Sequence, residues 1–222
     1  MAVLTEADRK WLGLKGDEEA VRVTRHDSVL IPSGVNQTGP LTFFNDDFQT
    51  HPEGDWGCNM RAKGRMDDTL RVVFNRMYMW FEVSTGDKVI GEAPLNLALL
   101  AIKRLMSGWS LLPEIVDFKY PTIHSHLVPA GGGPVGTLGD TASAAALDTG
   151  GWISNGVQSP GVYKDITMRV PAGMTFDVVA TPRKTGIVIP ASGVDIWMFI
   201  ALEGPGARVV PQGAAQQGVQ GR

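Results

Sequence analysis

Residues 194–202, VDIWMFIAL, restrict the folds open to this chain more than any other stretch. Every position but Asp195 is apolar. A membrane-spanning helix needs about 20 apolar residues, so the run is too short for one. Read as a strand, its side chains alternate between two faces. Asp195, Trp197, Phe199 and Ala201 share one face; Val194, Ile196, Met198, Ile200 and Leu202 share the other. Both faces are greasy, so both need a cover. One can fill a core. The Trp/Phe face needs a helix, a neighbouring subunit or another part of the same chain laid over it. Glu203-Gly204-Pro205-Gly206 follows and reads as a turn that ends the strand.

The rest of the chain carries the same signature of strands and turns. Glycine (27) and proline (14) are frequent in a chain of 222 residues and are spread over many short segments. Residues 21–32 read as one or two strands. Residues 39–46 read as another, with Leu41 and Phe43 alternating around Thr42. In residues 67–87, Leu70, Val72 and Phe74 keep one phase and Met77, Met79, Phe81 and Val83 keep the opposite one. A bulge near Asn75 reconciles them. A helical stripe of Leu70, Val73, Phe74, Met77 and Phe81 fits the same residues, but their β-branched and aromatic content favours a strand. Two alternations, Ile166/Met168/Val170 and Met174/Phe176/Val178, flank a Pro-Ala-Gly turn.

Helical signals are few. Thr5 and Asp8 could open a short helix over 5–14. The best helix is 93–108, with Leu95, Leu99, Ile102 and Met106 on one face, Pro94 in its first turn and Gly108 at its stop. The expectation is therefore an all-β chain, a jelly-roll β-sandwich or barrel with one inserted helix. A single barrel is favoured and a compact tandem double barrel is the alternative. The organisation expected is an N-terminal arm or short helix over 1–20, a jelly-roll domain over 21–210 and a flexible tail over 211–222. Residues 131–151, rich in Gly and Ala, form a long loop.

Composition excludes several classes. The net charge is −3 and the pI about 5.8, so strong direct nucleic-acid binding is not expected. The lone Cys58 allows no internal disulfide, which fits a reducing compartment. The N-terminus has no apolar core of a secretory signal.

Chemical motifs are sparse. His124-Ser125-His126 places two imidazoles on one side of a strand, as in the metal-binding pair of cupins. The Glu and third His that complete such a site are missing, since Thr175 and Phe176 stand where the His is wanted. Asp148-Thr149-Gly150 matches the aspartic-protease triplet without the apolar strand that normally carries it. Asp46, Asp47, His51, Glu53 and Asp55 read as a solvated acidic loop, and Cys58 as a packed thiol. No catalytic, cofactor or metal residues are assigned, and no enzyme activity is expected.

Five stretches in order, LTFFN, CNMRAKGRMDDTLRVVFNRMYMWFEV, LVPAGGG, NGVQSPGVYKDITMRVPAGMTFDVV and VDIWMFIALEGPGARVV, resemble the jelly-roll capsid proteins of tailless icosahedral bacteriophages. The resemblance spans about residues 40–210. It implies two four-stranded antiparallel sheets packed face to face. It also implies a structural virion protein that self-associates into capsomers, with trimers expected, and tiles an icosahedral shell. The partners implied are other capsid or vertex proteins and, in some relatives, an internal membrane. The site of action implied is the virion, assembled in the host cytoplasm. Two other readings stay open: a cupin-like metal-dependent enzyme using His124 and His126, and a glycan-binding β-sandwich.

Overall fold

The structure is a computed structural model that describes residues 6–14, 18–84, 92–116, 118–128, 135–136, 152–153 and 164–209. Among the described residues antiparallel strands predominate. In order they are β1 (Glu18–Ile31), β2 (Asn36–Gln37), β3 (Leu41–Phe43), β4 (Leu70–Val83), β5 (Trp109–Ile115), β6 (Phe118–Lys119), β7 (Ile123–His124), β8 (Val135–Gly136), β9 (Trp152–Ile153), β10 (Lys164–Val170), β11 (Phe176–Pro182), β12 (Ile187–Val188) and β13 (Ile196–Val209). Three helices punctuate them: α1 (Glu6–Trp11), α2 (Gly54–Gly57) and α3 (Glu92–Leu105). Among the described residues no helix is long and apolar enough to cross a membrane.

Two sheets carry the architecture. The first runs β1-β13-β4-β10. The second runs β3-β11-β5-β6, with β7 also paired to β5. Their inner faces share one core, in which Ile196, Met198, Ile200 and Leu202 of β13 meet Phe176, Val178 and Ala180 of β11 and Leu111 of β5. Phe74 of β4 and Phe176 of β11 touch across the gap, with ring centroids 5.7 Å apart.

Residues 70–83 form one strand, and the phase change expected near Asn75 is present. Leu70, Val72 and Phe74 are buried, then Met77, Met79 and Phe81. Against β13 the register steps from Arg76↔Glu203 to Val72↔Gly206, so residues 73–75 oppose only 204 and 205. This is a bulge.

The Glu-Gly-Pro-Gly segment is not a turn. β13 runs through it to Val209 and stays paired with β1 along its whole length. Gly204 is required there because a Cβ would lie 1.9 Å from the carbonyl oxygen of Val73. Pro205, which has no N–H to donate, sits where the β4 ladder is already interrupted. The turn reading fails because the bulge accepts both residues.

Helix α3 lies between β4 and β5 in the chain. Its Ala101, Ile102 and Leu105 enter the same core as both sheets, and Arg104 donates to the carbonyl of Val188 in β12 at 3.0 Å. It plugs the sandwich and does not cover the Trp/Phe face. The side chains of Leu95 and Leu99, expected on its buried face, lie outside the described residues, as do 211–222 and most of 131–151. β1 begins at Glu18, three residues before the domain start read from sequence.

Candidate functional site

The outer face of the first sheet answers the question posed by residues 194–202. Trp197 and Phe199 are 5% and 1% exposed, and their cover comes from the same chain. Residues 45–60 leave β3, cross the sheet and return along β1. The His51 ring packs on Trp197 at 5.5 Å. Trp56 meets Phe199 edge-on at 4.9 Å, and Trp80 of β4 stacks on the same ring at 4.7 Å. At the other end of the sheet Leu12, beside α1, packs with Val73 and Ala207. Neither the inserted helix nor a neighbouring subunit is needed.

The loop is pinned by polar residues of β1. Asp27 points between the sheets. One carboxylate oxygen accepts from the Ser28 N–H at 2.9 Å and the other from the Phe44 N–H. Phe44 takes a left-handed φ of +70° there, with its ring on Phe176 at 5.2 Å. Asn59 holds the free edge of β1. Its side-chain oxygen accepts from the His26 N–H at 2.9 Å, and its amide donates to the Thr24 carbonyl at 3.1 Å. Over Thr24–His26 the edge is thereby closed to pairing with another chain.

Asp27, Ser28, His51 and Cys58 are thereby brought together, all buried. The geometry is not that of an activated nucleophile. His51 Nδ1 accepts from the Glu53 N–H at 3.1 Å, so the ring proton is on Nε2. That nitrogen faces the Ser28 carbonyl at 3.0 Å, the Ser28 hydroxyl at 3.2 Å and Asp27 at 3.9 Å. A protonated Nε2 cannot take the serine proton, and among the described residues it is a backbone N–H, not a carboxylate, that meets the ring's far nitrogen. Burial, partly offset by the Phe44 and Ser28 N–H groups, pushes the Asp27 carboxyl up to about 6. Burial and the neighbouring Asp27 charge push the Cys58 thiol up to about 12, which makes it inert. The reading of Cys58 as a packed thiol holds. The reading of 45–57 as a solvated acidic loop holds for Glu53 and Asp55, which are exposed, but His51 is buried. The one sequence signal for this cluster was the polar pair Asp27-Ser28 inside an otherwise strand-like run.

A second cluster lies on the outer face of the second sheet. Asp177 of β11 and Glu114 of β5 are direct cross-strand partners, and Lys119 of β6 pairs with Glu114 at 3.2 Å. Burial first, and then the Glu114 charge, push Asp177 up to about 6. These groups border a cleft of about 600 Å³ that also involves Lys63 and Phe118. A larger cleft of about 830 Å³ beside β1 is lined by Arg22, Arg25, Arg61, Arg65 and Arg208. Four of these are matched: Arg25 with Asp67 at 2.9 Å, Arg22 with Glu203, Arg65 with Asp68 and Arg208 with Glu19. The cleft lining thus holds five Arg against Asp67 and Asp68, with most of the guanidinium charge paired within the chain.

His124 ends β7, and His126 lies in the 3₁₀ turn that follows. The structure brings their rings together, 5.7 Å apart and within 10° of parallel. Among the described residues no group of three or more His, Cys, Asp or Glu could hold a metal ion. Asp148-Thr149-Gly150 lies outside the described residues.

Compared with protein-family models, with curated protein sequences and with solved structures, the chain matches none.

Proposed function

We propose that this chain is a single jelly-roll barrel that serves as a structural virion protein, a capsid subunit assembling into the capsomers of an icosahedral phage shell. The observation that carries the reading is the nesting of strand pairs. β1 pairs β13, β3 pairs β11, β4 pairs β10, and β5 pairs β6 and β7. First pairs with last, and each inner pair lies within the one before it. A long antiparallel hairpin rolled on itself has this nesting, and successive pairs then fall alternately in two facing sheets, which is the jelly-roll arrangement. The roll takes up the major strands once, which favours one barrel over two in tandem.

A jelly roll hosts many functions. The step to a shell subunit rests on the succession of stretches that resembles the phage capsid proteins. It also rests on where apolar surface is left over. With the Trp197 face covered by the chain itself, the exposed large apolar groups of the second sheet's rim are Val116 (46%), Phe118 (52%) and Leu127 (52%). These are the groups a neighbouring copy would bury, because homomeric contacts are richer in apolar surface than the remaining exterior. In this reading the partners are other copies of the chain, with trimers expected, other capsid or vertex proteins and an internal membrane where the shell has one. The chain acts in the virion after assembly in the host cytoplasm. It makes no strong direct contact with nucleic acid, in line with its net charge of −3.

The test is the oligomeric state of the untagged full-length chain, by native mass spectrometry and light scattering, with negative-stain imaging of any large species. Trimers, larger capsomers or closed particles are expected. A chain that stays monomeric up to its solubility limit overturns the reading.

A further inference from the structure

We propose that His124 and His126 form a two-imidazole chelate for a divalent transition ion of the nickel, copper and zinc group, at the rim of the second sheet. The proposal does not depend on the capsid reading. Four observations support it. Both side chains are exposed, whereas Ser125 between them is fully buried. The Ser125 hydroxyl accepts from the Trp109 N–H at 3.1 Å, and its carbonyl accepts from the Val128 N–H at 3.0 Å. The turn is thus anchored by its middle residue, and the two flanking rings are held outward on the same side.

The rings are nearly parallel with centroids 5.7 Å apart. Being exposed, they can turn about their side-chain bonds to bring two nitrogens to a shared ion without displacing packed atoms. Zinc–imidazole bonds are about 2.0–2.1 Å. His124 also has the outer contact that ligating histidines typically show. Its Nδ1 lies 3.2 Å from the Ser110 hydroxyl. An Nδ1–H donated there leaves the Nε2 lone pair free for an ion. Neither histidine has a carboxylate ion pair among the described residues, so nothing there competes for the rings as imidazolium.

The chemistry selects the ion. Imidazole suits zinc, copper and nickel, whereas magnesium and calcium prefer oxygen donors. The remaining coordination positions face outward and are filled by water.

The test uses the untagged full-length chain, stripped with a chelator and titrated calorimetrically with Cu²⁺, Ni²⁺ and Zn²⁺, with native mass spectrometry to count ions. One ion per chain is expected, with copper tightest and with Mg²⁺ and Ca²⁺ silent. His124→Asn and His126→Asn each weaken binding at least tenfold, and Ser110→Ala weakens it by a smaller factor. Thermal midpoints of the two histidine variants stay near that of the parent chain, because their side chains lie at the surface. Affinity falls as the solution is acidified, since protons compete for the same nitrogens. Absence of saturable binding to the intact chain overturns the proposal. So does undiminished binding in the His124→Asn/His126→Asn double variant, which would place the ion elsewhere.

Discussion

Asn59 meets the free edge of β1 with both ends of its side-chain amide, accepting from the His26 N–H and donating to the Thr24 carbonyl. No other side chain of its size offers a donor and an acceptor in that geometry; Asp would set a carboxylate against a carbonyl oxygen. Each such bond contributes about 0.5–1.5 kcal/mol net. Asn59→Ala is therefore expected to cost about 1–3 kcal/mol in urea unfolding. An unchanged midpoint would mean that the backbone bond from Asn59 N–H to the His26 carbonyl holds the edge unaided. Gly57 works by being small. A Cβ there would lie 2.1–2.2 Å from the His51 ring, so Gly57→Ala forces the ring off Trp197 or lifts the loop. Overpacking of this kind costs about 1–3 kcal/mol. The expected result is a lower thermal midpoint with an altered near-ultraviolet signal from the Trp197 environment. A Gly57→Ala chain as stable as its parent would refute the contact.

Among the elements, β13 shows what alternation conveys and what it omits. Its two apolar faces were legible, and so was the bulge in β4, because a change of phase is written into successive residues. The continuation of β13 through Gly204 and Pro205 was not legible. Gly and Pro signal a turn locally, and only the interrupted ladder against β4 makes them acceptable in a central strand. The cover over Trp197 was illegible for a related reason: it depends on His51 and Trp56 meeting residues more than a hundred positions away in the chain. The same limit hid Asp177 and Glu114, which the β5–β11 register sets side by side. Like charges directly opposite each other weaken a ladder. An acid whose folded pKa, here about 6, lies above its unfolded value of 3.8 takes up a proton on folding. The folded state therefore gains as pH falls through 6 toward 4, and that gain is absent above it. Asp177→Asn removes the charge at every pH. It is expected to be more stable than the parent chain above pH 7, with the difference closing as pH drops toward about 4.5. Unfolding curves at several pH values check this, and a difference independent of pH would show that Asp177 is not the titrating group.

At the scale of the whole molecule, the sandwich leaves its two sheets unequal. The first sheet is covered at one end by residues 45–60 and at the other by Leu12, next to α1. On the second sheet, Val116, Phe118 and Leu127 at the rim remain exposed. The Phe118 ring rests only edge-on against Tyr120 at 4.7 Å. Trp56 and Phe48, on the loop over the first sheet, are also partly exposed, but in the capsid reading copies of the chain associate by burying the rim groups, at about 25 cal/mol per Å² of apolar surface. A contact through the Trp197 face would first have to lift a loop tied down by Asp27, His51 and Asn59. Phe118→Asp with Leu127→Asp is therefore expected to abolish assembly. Stability of the single chain should change by no more than about 0.5 kcal/mol, as for most exposed positions. Trp56→Ala, on the opposite face, should lower stability while leaving assembly intact. Sedimentation or native mass spectrometry, run beside urea unfolding, separates the two effects. If the rim variant still assembles and Trp56→Ala does not, the interface lies on the first sheet, and residues 45–60 must serve as the contact surface as well as the cover.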